Sequence, residues 1–189
     1  RNLELLKRYE IEQSIENAID ELKELSDEQN KLSEEVNKKI TEDNLKKQQE
    51  QHDRLEKLKE NYEKALQKNN DLNQPMNLDS FQEQFNKIDS GFNQGSELMN
   101  ENKRNKSSKN QQQNSEQLND LAQQMQNMLA MNMSSQAAEN LDDLRQIIDN
   151  LVKFSFDQEE LIEELGKTSV RDPKFTGIMQ RQKEQTDNF

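Results

Sequence analysis

The chain has 189 residues, 29% hydrophobic and 34% charged, with a net charge of -12 and a mean hydropathy of -1.31. Globular chains carry about 45–50% apolar residues, so the composition argues against a thick core. The acidic balance argues against nucleic acid, whose phosphates need a basic face, and no run approaches the ~18–20 apolar residues of a membrane span.

Two prolines and four glycines, with no tryptophan, suit long helices and suit sheets poorly. The expected fold is all-α, an elongated bundle of long antiparallel helices with coiled-coil-like packing. No cysteine is present, so disulfides and thiolate metal sites are ruled out. Arg1 stands where a helix is already under way, which suggests a region excised from a longer protein.

From residue 1 to about 40, Ile11, Ile15, Ala18, Leu22, Leu25, Gln29, Leu32, Val36 and Lys39 keep a heptad spacing, with Gln29 and Lys39 as its polar members. Gln29 reads either as a register-setting polar residue or as a tolerated one. Thr41 followed by two acids resembles an N-cap. A second helix then carries Leu45, Gln48, His52, Leu55, Leu58, Tyr62, Ala65 and Leu66 to about Asn70. A tight turn at 41–44 makes a hairpin and a stutter makes one rod; the hairpin is preferred. Residues 1–74 are therefore expected to form one hairpin domain.

The Asn- and Pro-containing stretch 69–75 marks a boundary, after which residues 75–189 are expected to form a helical bundle. Asp79 or Ser80 can cap a third helix bearing Phe81, Phe85, Ile88, Phe92 and Leu98. Its Gly91 and Gly95 permit close approach of a neighbour. The low-complexity segment 101–115, rich in Lys, Ser and Gln, reads as a solvated helix without core contacts or as a flexible link. The period resumes at Leu118, Leu121, Met125, Met128 and Leu129, and Ser134 with Ser135 marks a further break.

The last helix holds the richest apolar surface. Leu141, Leu144, Ile148, Leu151, Ser155, Gln158, Ile162 and Leu165 alternate spacings of three and four, and Ile147, Val152, Phe154, Phe156 and Leu161 widen the face. This helix is expected to be the central element of the bundle. Gly166 stands where a left-handed C-cap would sit, and Asp172 with Pro173 would open another helix.

Catalytic chemistry finds little support. His52 and Glu56 share a helix face at metal-ligand spacing, but the sequence shows no third ligand beside them. The dense acids read as solvating charge, and no cofactor, metal site or catalytic residue is expected. Met125, Met128, Met131 and Met133 are flexible thioethers suited to promiscuous binding, and Leu151, Phe154, Phe156 and Ile162 are candidate anchors for a partner groove.

The segment Asn150 to Leu161, with Ser155-Phe156-Asp157-Gln158-Glu159 its most specific part, resembles the helical region of a family of large bacterial envelope proteins. So do Thr168 to Phe175, Pro75 to Asp79 and the Met/Gln-rich helix. This family, of unknown function, is best represented in the Bacteroidota. The resemblance implies a periplasmic fragment tethered to the inner membrane by segments outside this chain, and it supplies no catalytic residues. The expected function is a non-enzymatic scaffold or docking module for protein partners of the envelope, with self-association as one form. The alternative is a periplasmic holdase gripping unfolded clients through its Met- and Phe-bearing faces.

Overall fold

The computed structural model describes residues 2–167, 175–177, 179–181 and 183. It is all-α, with four long helices: α1 (Asn2–Lys38), α2 (Glu42–Asn70), α3 (Gln82–Asn100) and α4 (Arg104–Lys167). Compact packing divides the chain into two units, residues 1–133 and 134–189.

Thr41 turns the chain from α1 into α2. Its hydroxyl accepts from the Asn44 amide at 3.2 Å, and the Thr41 amide donates to Asn44 Oδ1 at 3.0 Å, a reciprocal capping box. The hairpin is thereby formed and the rod excluded. Arg54 on α2 then reaches three acids of α1: Glu21 at 2.6 Å, Glu24 at 3.2 Å and Glu28 at 2.8 Å. Lys47 meets Glu35 and Lys68 meets Glu10, so the partners run in opposite directions along the two helices.

The first unit is an up-down-up-down four-helix bundle. Helix α3 runs antiparallel to α2, with Asp89 beside His52 and Asn86 beside Lys59. Helix α4 runs antiparallel to both α3 and α1, through Gln124 with Gln84, Asn110 with Gln94, Ser115 with Ser26 and Gln126 with Lys23. The expected domain boundary between residues 74 and 75 therefore falls inside one unit. Ile11, Ile15, Leu22 and Leu25 of α1 share a core with Phe85, Ile88 and Phe92 of α3 and with Leu118, Leu121 and Met125 of α4. A two-helix hairpin cannot enclose such a face alone.

Entry into α3 differs from the expected cap. Phe81, at the N-cap position, is left-handed with φ 50°, and its amide donates to Asp79 Oδ1 at 3.0 Å. A left-handed non-glycine costs roughly 1–2 kcal/mol. The strained turn inserts the Phe81 ring into the core, 6.3 Å from the Tyr62 ring.

Segment 101–115 is neither a flexible link nor a solvated helix. Asn102, with φ 57°, makes a tight turn out of α3, and α4 begins at once. Ser107, Ser108, Asn110, Gln111 and Asn114 are all buried. Ser107, Gln111 and Asn114 continue backwards the spacing of Leu118, Leu121 and Met125, so they face the same neighbours.

Those residues complete a polar layer across the bundle. Gln29 Nε2 donates to Gln48 Oε1 at 3.0 Å and to Gln51 Oε1 at 2.6 Å. Gln48 Nε2 donates to the Phe92 carbonyl at 3.2 Å, Gln111 Nε2 to Gln48 Oε1 at 3.4 Å, and Asn114 Nδ2 to Gln29 Oε1 at 3.5 Å. Helix α3 contributes the Phe92 carbonyl, the Gln94 carboxamide, which accepts from Asn110 Nδ2 at 3.1 Å, and space. A methyl at Gly91 would meet the Asn114 carboxamide, and one at Gly95 would lie 2.7 Å from Asn110 Oδ1 and 2.9 Å from Gln48 Nε2.

Helix α4 is continuous through Ser134 and Ser135, against the expected break. Between Arg104 and Leu165 it contains neither proline nor glycine, and serine alone costs too little helix propensity to end it. Gly166 lies within α4 and no described glycine has positive φ, so no left-handed cap forms there. The expected cap at Asp172 and Pro173 lies outside the described residues.

Two outcomes test these contacts. Gly95→Ala should lower stability by about 1–3 kcal/mol through overpacking, although the same change at an exposed helix site gains about 1 kcal/mol. Denaturant midpoints of the variant and the parent give the sign. Tyr62 donates to the Asp79 carbonyl, and burial, with Asp79 as a smaller influence, raises its phenol well above the ordinary value. The fold thus holds the neutral phenol, while the unfolded chain ionises it near pH ~10. This contribution is full below that pH and is lost as pH rises above it. Thermal melts either side of it should fall more steeply for the parent than for Tyr62→Phe.

Candidate functional site

Helix α4 owes its C-terminal half to the absence of breakers and to the three-four apolar spacing, yet the bundle's core is filled by other residues. Leu118, Leu121, Ala122, Met125 and Leu129 provide the α4 wall of that core. Leu141, Leu144, Ile147, Ile148, Leu151, Val152, Phe156 and Ile162 remain 44–66% exposed. The expectation that residues 141–165 form the central element of the bundle is therefore corrected. A three-four spacing tells which side chains share a face, and it is silent on which neighbour covers that face.

The candidate interaction residues separate accordingly. Leu151, Phe156 and Ile162 are exposed, at 44%, 66% and 65%. Phe154 is half-buried and Leu161 is buried, so the face is not uniformly open. Glu164, on the polar side, pairs with Arg181. Met125 is wholly buried, and Met128 packs partly against the same core while its sulfur accepts from the Asp79 amide at 3.2 Å. Only Met131 and Met133 of the methionine run are exposed, at 70% and 55%. The methionines thus do not act as one surface, because α4 turns the first of them inward and the last outward.

Charge borders the exposed face. Nine acids and three basic residues lie between Glu139 and Lys167. Asp142, Asp149 and Asp157 flank the apolar stripe on one side, and Asp143, about five turns before Leu161, shares that residue's direction. No described helix is long and apolar enough to cross a membrane.

A second cluster joins α2 and α3. His52 Nε2 lies 2.6 Å from Asp89 Oδ1, and Glu56 brings a carboxylate oxygen to within 4.8 Å of both ligand atoms. The His52 ring is buried and stacks on Phe92, with centroids 5.4 Å apart and planes 10° from parallel. The sequence places His52 and Glu56 one turn apart on a helix; Asp89 joins them only through the antiparallel register of α2 and α3. No sequence signal pairs these positions beyond the polar gap that His52 makes in the α2 face.

Comparison with protein-family models, with curated proteins and with solved structures finds no match for the chain.

Because its side chain is already exposed, Leu151→Ala should change stability by less than about 0.5 kcal/mol, against about 2–5 kcal/mol for a core leucine such as Leu118→Ala. Parallel chemical denaturation of the two variants measures the difference.

Proposed function

We propose that the chain is a non-enzymatic scaffold whose exposed α4 face docks a helical segment of a protein partner, one with its own apolar stripe flanked by Lys and Arg. One observation carries this reading: eight large apolar side chains between Leu141 and Ile162 stay exposed in a helical spacing. Monomeric proteins rarely leave a wide apolar face open without a partner. The spacing suits another helix laid along it, since anchors then meet at every turn. The acidic border selects a basic partner and disfavours a second copy, whose flanks would carry the same sign.

The resemblance to envelope proteins supports a periplasmic location, tethered to the inner membrane by segments outside this chain, with the partner in the same compartment. Within that setting the α4 face between Leu141 and Ile162 is the docking element. A holdase reading draws on the exposed Met131 and Met133, but buried Met125 leaves it a smaller gripping surface.

Photo-crosslinking in cells, with probes at Leu144, Ile148 and Phe156 of the full-length protein, tests the proposal. The expected result is one adduct mapping to a helix flanked by basic residues, weakened at high salt and lost in Ile148→Asp. A ladder of unrelated unfolded clients would overturn docking in favour of a holdase, and adducts only between copies would make the face a self-association surface.

A further inference from the structure

We infer that His52, Glu56 and Asp89 form a binding site for a divalent transition-metal cation of the zinc type, clamping α2 to α3. The three side chains offer one nitrogen and two carboxylates, with ligand atoms all within 4.8 Å of one another. A mixed imidazole and carboxylate set suits zinc, cobalt or nickel better than magnesium or calcium, which favour oxygen alone. Two features pre-arrange the imidazole. Burial beneath the helix surface restricts its rotamers, and stacking on Phe92 sets the plane of the ring.

The carboxylates also argue for a cation. A hydrogen-bonded His52 and Asp89 pair needs only one acid, yet Glu56 converges on the same point. No hydrogen bond or ion pair to another described residue occupies Glu56. The adjoining groove carries Glu60 and Glu63 as well, and its one cation, Lys59, donates to Asn86 at 3.1 Å. Such a field concentrates cations at its surface.

The fit requires a small movement. Two ligands of a tetrahedral zinc at ~2.0–2.1 Å stand about 3.3 Å apart, so the 2.6 Å contact between His52 and Asp89 must open by a fraction of an ångström. Asp89 belongs to a partly exposed helix face, and rotation of its carboxylate supplies that opening. Binding replaces the hydrogen on His52 Nε2 with the metal, and the imidazole keeps its one proton on Nδ1. Water completes the coordination from the groove side. Because the ligands come from two helices, the cation favours the folded state over the unfolded one.

Calorimetric titration of the intact chain with zinc chloride is the test. The expected result is one zinc per chain, a raised melting temperature, and a visible absorption band when cobalt replaces zinc. His52→Gln and Glu56→Gln should each weaken binding at least tenfold. Glu56 is exposed, so the second variant keeps its metal-free melting temperature and separates lost binding from lost folding. Absence of zinc binding, or equal affinity in Glu56→Gln and the parent, would overturn the site, as would zinc uptake that persists without His52.

Discussion

The bundle depends on a buried layer of carboxamides. Gln29, Gln48, Gln51, Gln111 and Asn114 interlock across α1, α2 and α4, while α3 closes the ring with the Phe92 carbonyl and two glycines. In α1, α2 and α3 the layer position stands between apolar residues: Leu25 and Leu32 about Gln29, Leu45 and Leu55 about Gln48 and Gln51, Phe92 and Met99 about Gly95. A helix displaced by one turn would set Gln29 beside Leu55, and an unpaired buried amide costs about 1–3 kcal/mol. The layer thus opposes misregister more than it adds to stability. The Gln111 Oε1 and Ser107 Oγ atoms have no partner among the described residues, which keeps its net contribution small.

This arrangement explains how a chain so poor in apolar residues builds a bundle. The larger apolar cluster, from Ile11 to Leu129, occupies one side of the layer, and a small one of Leu32, Val36 and Met99 the other. Where apolar area is short, charge-assisted contacts join the helices. Arg54, held by three acids of α1, has a guanidinium bound more tightly to its proton than an ordinary arginine, chiefly through its hydrogen bond to Glu21. Its contacts are partly solvated, so they set the hairpin's alignment more than its stability.

Much of the fold is legible in one dimension. The stripe from Ile11 to Val36, the Thr41 cap, the α2 face and the apolar residues of α3 all follow from spacing and capping chemistry. Buried amides were harder to see. Gln48 and His52 already sit in the α2 stripe as polar members, but Ser107, Gln111 and Asn114 lie in a run of Lys, Ser and Gln whose composition looks solvated. Their shared spacing with Leu118 is the signal that marks them, and it is weak because a polar side chain carries no transfer preference for the core. The candidate sites divide similarly. His52 and Glu56 are paired by helix geometry, whereas Asp89 is thirty-seven residues from His52 and reaches it only through packing.

By itself, then, the sequence determined that the chain is helical, that α1 is interrupted near Thr41, and which side chains share each helix face. These are local properties, settled by rotation per residue, capping and the absence of breakers. Only the tertiary structure decided which faces meet. It put the modest residues of α4 before Leu129 inside and left the richer stripe from Leu141 to Ile162 exposed. The physical reason is that burial belongs to pairs of surfaces: a face enters a core only where another of matching length and register stands opposite.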